Sequence, residues 1–240
     1  MPEDERPPAT DVVSLLAEGE IEVVGRMPWS SNQTFFVKCT SGDEETGAVY
    51  KPERGERHLW DFPEGIYRRE IAAYELSCLL GWGLVPETIS RADAPFGEGS
   101  LQRFVDADFS QHHFTLIEDE RHHGRLRAIC AFDVVANNAD RKSGHCILGD
   151  DGTVWGIDNG LCFHKEPKLR TVIWEFAGEE LPTGLLDDLS ALDDALPGAL
   201  ADLLSPAEVE AVRRRARKLV KRGRFPVPNP DTHHYPWPLV

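Results

Sequence analysis

Two aspartates carry the most chemical information in this chain. Asp140 lies in the polar run NNADRKSGH, directly after an apolar helical pattern. Asp158 follows the apolar run 154–157 and precedes Asn159-Gly160, so its carboxylate emerges where a buried strand ends. The two are 18 residues apart with a hairpin pattern between them, so both can reach one cleft. A carboxylate at Asp158 suits Mg²⁺, a hard cation that prefers oxygen. One at Asp140 suits accepting or orienting the proton of a hydroxyl acceptor. Arg141 beside it can lock the loop or meet a phosphate. The competing reading is a pair of unrelated turn aspartates, DNG being a common turn sequence.

Phosphoryl transfer from ATP needs a cover over the phosphates, a cation on their oxygens, metal-holding oxygens and a group that aims the acceptor. Candidates for the first two precede the aspartates. Ser30, Ser31 and Asn32 can offer hydroxyls and backbone N–H groups to anionic oxygens, as many hairpin loops can. Lys51 ends a strand-like run, and Glu70 follows 19 residues later on a helical pattern. Such a pair can fix the ammonium against nucleotide phosphates, although most Lys–Glu coincidences are surface residues. Together the residues predict an ATP- and Mg²⁺-dependent transfer to a hydroxyl.

The elements that must position these groups are legible from periodicity. Residues 20–25 (EIEVVG), 34–39 (TFFVKC) and 48–51 (AVYK) have strand composition, with turn formers at 26–33 and a polar turn at 40–47. A short helical turn at 11–16 precedes them. Residues 67–80 recur at helical spacing, with Gly81 placed to stop the helix. Short strands are predicted at 85–89 and 100–105, a helix at 125–137, and a hairpin from 146–148 and 154–157 joined by GDDGT. The last third is helical: 185–204, with Pro197 expected to break it, and a second helix opened by Ser205-Pro206-Ala207-Glu208 and ended by Gly223. Residues 1–10 are expected to be disordered. The Pro-rich tail 226–240 is expected to wrap the surface or stay loose. A strand-rich first half and a helix-rich second half predict a two-lobed α+β architecture.

Bulk properties narrow the function classes. A net charge of −15 disfavours wholesale binding to nucleic acid or an anionic membrane. No apolar run approaches the roughly 20 residues of a membrane span, and the acidic, Pro-rich start is unlike a targeting peptide. Five scattered cysteines with no C-x-x-C pair read as reduced thiols, which together with the rest predicts a cytoplasmic protein. One stretch departs from the acidic balance: residues 213–224 hold eight basic side chains. They form either a solvated face complementing the helix dipole or a docking site for a phosphate-rich or protein partner.

With these motifs in order, the chain resembles the phosphatidylinositol 3-/4-kinase-like family, in motif most like the type II phosphatidylinositol 4-kinases. SSNQTFFVK…AVYKP resembles their nucleotide-binding hairpin and lysine strand, and YRREIAAYELSCLLGWGLVPETI their glutamate helix. GSLQRFVD resembles the hinge, which would set Gln102, Phe104 and Val105 against the adenine. DVVANNADR and GIDNGLCF resemble the catalytic loop and metal turn. The resemblance spans about residues 20 to 176, extends more distantly to the HipA toxin kinase, and includes a small actinobacterial-type group of phosphatidylinositol-kinase-like proteins. It implies a two-lobed protein-kinase-like fold, with a small antiparallel-sheet nucleotide-binding lobe (11–105) and a mostly helical catalytic and metal-binding lobe (106–225). It also implies a phosphoinositide, inositol-type, other small alcohol or protein acceptor.

One position departs from the pattern. Five residues after the catalytic aspartate the family carries an asparagine that binds metal; here it is His145. Imidazole suits zinc or manganese better than Mg²⁺, so His145 binds a phosphate, favours Mn²⁺, or weakens one metal site. Asn138 is an alternative donor. The rival class is a nucleotide-binding pseudokinase acting as a regulatory or interaction module. His112-His113, His122-His123 and His233-His234 read as solvated loop histidines, since no partner has ligand spacing. Cys146, Cys162 and His164 read as packing residues, and Trp174-Glu175-Phe176 as packing or substrate-facing.

Overall fold

The computed structural model describes residues 11–28, 32–231 and 233–240, so Ser30, Ser31 and the expected disordered start lie outside the described residues. Two antiparallel sheets and six α-helices follow in chain order. Helix α1 (Val12–Glu18) leads into strands β1 (Glu20–Arg26), β2 (Phe35–Ser41) and β3 (Glu44–Pro52), then α2 (Ile66–Leu79), β4 (Thr88–Arg91) and β5 (Gly99–Arg103). These strands form one sheet in the order β1-β2-β3-β5-β4. The second half contains β6 (Ala107–His112), α3 (His113–Leu116), α4 (His123–Ala136), β7 (Cys146–Gly149), β8 (Val154–Gly156), α5 (Thr183–Leu200) and α6 (Pro206–Arg222). Its sheet has the order β6-β7-β8.

The stretch 40–47 is not a long polar turn. Thr40 pairs with Glu45 and Ser41 with Glu44, so the strands run on to a two-residue turn at Gly42-Asp43. Gly42 takes a φ of 60°, which a hairpin of this length requires and glycine adopts without strain. Polar composition marked an exposed hairpin end, not the loss of pairing. The strand expected at 85–89 starts at Thr88, whose hydroxyl donates to the Pro86 carbonyl (2.8 Å). Proline offers no ladder donor there.

Alternation gives the first sheet two faces. One buries Val37, Cys39, Ala48, Tyr50 and Leu101 against Leu16 of α1. Phe36, Val49, Lys51 and Gln102 share the other, since Val49 pairs with Phe36 and Gln102 while Lys51 pairs with Ser100. Helix α2 does not add to the small cluster. Its Ala72, Ala73 and Leu76 join the larger core with Leu126, Phe132 and Val135 of α4, Leu192 and Leu196 of α5, and Val212 and Leu219 of α6.

Helix α5 continues through Pro197, contrary to the expected break. Leu189, Leu192, Leu196 and Leu200 are all buried along it, and that burial outweighs one lost backbone bond. The start of α6 follows its sequence signature: the Glu208 carboxylate accepts from the Ser205 N–H (3.0 Å) and hydroxyl (2.7 Å), Pro206 is the first helical residue, and Gly223 caps the end at φ 62°. Strand β6 and the short α3 had no periodic signal. Among the described residues no helix is long and apolar enough to cross a membrane.

Candidate active site

The next-to-last residue of β3 and the turn after β8 meet at one ammonium. Lys51 Nζ donates to Glu70 and to Asp158 Oδ1 (2.7 Å). The other Glu70 oxygen accepts the Asn159 N–H (2.8 Å), so one buried carboxylate ties α2 to both the lysine strand and the aspartate turn. Burial pulls the Lys51 ammonium down, but Asp158 and Glu70 more than reverse this and hold its pKa above the ordinary lysine value. The same ammonium holds the Asp158 carboxyl well below the usual carboxylate range. Asp158 keeps 52% of its side chain open to solvent, so this is an ionised, accessible carboxylate and not a stability element. Its backbone has a φ of 55°, in the left-handed region that Asp and Asn tolerate best.

Asp133, in the last turn of α4, organises the loop that carries Asp140. It is fully buried, and Arg141 Nε and Nη2 bind its carboxylate at 3.0–3.2 Å, while the Asn138 amide and the Thr171 hydroxyl each donate at 3.1 Å. Arg141 also donates to the carbonyls of Ile157 (2.8 Å) and His145 (3.2 Å) and to Asn159 Oδ1 (2.7 Å). Of the two roles open to Arg141, the geometry is that of the lock. Its guanidinium is buried and saturated by protein acceptors, with no donor left for a phosphate. Asn138, held by Asp133, accepts the Asp140 N–H (2.9 Å) and so sets the loop's turn.

Asp140, Lys142, His145 and Asp158 surround the mouth of this loop. Lys142 Nζ lies 3.0 Å from Asp140 Oδ2, and His145 Nε2 lies 3.4 Å from Asp158 Oδ2. Burial pushes the Asp140 carboxyl up, only partly countered by Lys142. Burial also pushes the His145 imidazole down to about 4, with the cations Arg141, Lys142 and Lys51 adding to it and Asp158 opposing. A neutral imidazole facing an ionised carboxylate is a chemically sound donor pair for a divalent cation whose remaining positions go to phosphate oxygens and water. Among the described residues no group of three or more His, Cys, Asp or Glu forms a metal cage.

The remaining expected positions are less uniform. Gln102 sits inside β5 on the Lys51 face, but its amide donates to the Thr88 hydroxyl (2.9 Å). Phe104 and Val105 follow the strand; the Phe104 N–H donates to the Gly47 carbonyl (2.9 Å) and its ring meets Phe36 edge-on. Asn32 turns its carbonyl oxygen to the Arg57 N–H (2.9 Å), pinning the loop after β1 to the one after β3. Sequence reasoning did not single out Lys142, Asp133, Asn159, Phe36 or Val49. The D-x-K spacing and the alternation in β2 and β3 were available signals for Lys142, Phe36 and Val49; nothing local marked Asp133.

Other readings change on inspection. His113 is fully buried with Nε2 3.1 Å from the Glu175 carboxylate, and His112 Nδ1 lies 2.7 Å from the Ser143 hydroxyl, so this pair is not solvated loop. Phe176 is core. In the basic stretch, Arg215 donates to the carbonyls of Val135 (2.7 Å) and His164 (3.2 Å), and Arg213 and Arg224 pair with Glu210 and Glu180. Lys218, Lys221 and Arg222 stay exposed. All five cysteines are free thiols.

This architecture has relatives of known structure. Hydra Fam20, solved with sugar, superposes with a TM-score of 0.53 at 17% identity, covering 88% of this chain and 87% of that one. The Helicobacter pylori proinflammatory kinase CtkA superposes with a TM-score of 0.52 at 12% identity, covering 88% and 94%. At such identities the likeness is one of fold, and the fold is protein-kinase-like. No protein-family model matches the chain. In sequence it is 41% identical to Protein Rv2133c of Mycobacterium tuberculosis over 95% of each chain, and it therefore belongs to the family of Protein Rv2133c.

Proposed function

We propose that this chain is an ATP-dependent kinase that transfers a phosphoryl group to a hydroxyl acceptor. The observation that carries the reading is the junction at Lys51, where β3, α2 and the turn after β8 bring an ammonium, a buried glutamate and an accessible aspartate together. Lys51, oriented by Glu70, holds anionic oxygens of the nucleotide. Asp140, whose carboxyl is pushed up by burial, orients the acceptor hydroxyl and takes its proton as the acceptor oxygen bonds the γ-phosphorus and the bond from that phosphorus to the departing ADP oxygen breaks. Lys142 balances charge beside it. Asp158 and His145 would hold Mg²⁺ or Mn²⁺, which when bound supplies charge neutralisation at the phosphate oxygens. The resemblance to phosphatidylinositol kinases covers the nucleotide and catalytic-loop motifs and leaves the acceptor open.

The alternative, a nucleotide-binding pseudokinase, draws on His145 at a metal position. Calorimetry with ATP and Mg²⁺ or Mn²⁺, run beside a product-detecting turnover assay, separates the two: binding without turnover in the wild type favours the pseudokinase. A wild type that neither binds metal-ATP nor turns it over ends both readings.

A further inference from the structure

The segment 233–240 is fastened beside the loop that carries Asp140, chiefly through its main-chain carbonyls, with the His234 ring edge-on to Trp174. The His234 carbonyl accepts from the Thr171 N–H (3.1 Å) and from the Trp174 indole N–H (3.2 Å). Five residues later the Leu239 carbonyl accepts from the Ser143 N–H (2.8 Å). Ser143 is three residues beyond Asp140, and Thr171 bridges to Arg141. The tail therefore links residues 171–174 to the loop that carries Asp140.

The surface supplies donors at these three points and the tail supplies main-chain carbonyls. Within 233–240 only Pro236 is buried, while Tyr235, Trp237, Leu239 and Val240 expose their side chains. What is held is thus mostly main chain, the exception being His234, whose ring meets Trp174 edge-on. Three hydrogen bonds, one ring contact and one buried proline make a shallow attachment, which prevails through its intramolecular effective concentration.

We propose that the surface bounded by Ser143, Thr171 and Trp174 docks a polypeptide segment carrying the acceptor hydroxyl, and that residues 233–240 are its resident competitor in cis. This rests on the kinase reading for its substrate class. It makes the acceptor a protein and the tail a cover that a substrate must displace.

The test uses the full chain and its Pro236→Asp variant, which puts a charge at the one buried tail position. Hydrogen exchange reports the Ser143 and Thr171 amides, fluorescence anisotropy reports binding of a labelled peptide of residues 233–240, and an arrayed set of Ser-, Thr- and Tyr-containing peptides reports transfer. The variant should exchange the Ser143 amide at least tenfold faster, bind the labelled peptide where wild type does not, and phosphorylate arrayed peptides at least tenfold faster. Should Pro236→Asp fail to fold, His234→Ala removes the tail's ring contact with Trp174, leaves the surface intact and is read in the same way, with smaller changes. A Ser143 amide that stays as slow in the variant overturns the proposal, and so does a freed surface that neither binds nor phosphorylates peptide. Peptide binding without turnover on any acceptor would retire the kinase reading and keep the docking surface. Turnover of myo-inositol with no peptide binding would do the reverse.

Discussion

Lys51 Nζ stands 2.7 Å from Asp158 Oδ1 although 107 positions separate the two residues. The contact is the point where the five-stranded sheet meets the second half of the chain, and it pairs the cation expected to hold phosphate oxygens with the carboxylate expected to hold metal.

The choice of substitution at Asp158 follows from its backbone. Alanine at a φ of 55° would add about 1–2 kcal/mol of strain, confusing lost chemistry with lost stability. Asp158→Asn keeps both shape and backbone preference while removing the charge. It should cut phosphoryl transfer by ~100-fold or more, with a midpoint of urea unfolding within a few tenths of a molar of wild type. Single-turnover kinetics beside a denaturation curve checks this.

His145 should set metal preference. With a neutral imidazole opposite Asp158, wild type should turn over faster with Mn²⁺ than with Mg²⁺. His145→Asn should lower the Mn²⁺/Mg²⁺ rate ratio several-fold and raise the Mg²⁺-supported rate. An unchanged ratio would remove His145 from the metal site.

Arg141 is expected to matter for stability through Asp133. Arg141→Met leaves a buried, unpaired carboxylate and should cost about 3–5 kcal/mol in urea denaturation. Adding Asp133→Leu removes that charge and should recover much of the stability without restoring turnover, because the loop that carries Asp140 has lost its lock. Equal destabilisation in single and double variants would contradict the account.

The acid limb of stability should depend on Glu208. Burial pushes this carboxyl up, but the Arg69 guanidinium and the Ser205 donors outweigh it and leave it below its ordinary value. A group depressed in the folded state binds fewer protons there than when unfolded. Its contribution is complete above the unfolded value and lost as pH falls through the folded one. Glu208→Gln should therefore be less stable than wild type at neutral pH, with the gap narrowing between about pH 5 and 3. Chemical denaturation across that range measures it.

Much of this arrangement could be read from the sequence because it is local. The α6 start at Ser205-Pro206-Ala207-Glu208, the hairpin of β7 and β8, and the strand that ends at Lys51 each follow from spacing within a dozen residues. What could not be read depends on partners far away. Asp133 looks like one more polar residue at a helix end until Arg141, Asn138 and Thr171 are seen to converge on it. Pro197 reads as a breaker until the leucines on either side are found buried. His113 reads as solvated until Glu175 arrives from the other side of the metal turn. Strand β6 lacks alternation because its middle residues are exposed and its pairing with β7 is interrupted.

Helix α2 has its apolar residues in the large core and its Arg69 bound to Glu208 of α6 and to the Cys162 carbonyl (2.6 Å). Glu70 and Asp158 thus belong to one rigid socket, and Lys51 is a plug borne on the sheet. Any parting of sheet from helices draws the plug from both carboxylates in a single stroke. Opening the cleft and dismantling its charge centre are one and the same movement, and a swing of the glutamate helix alone would first have to break a buried ion pair.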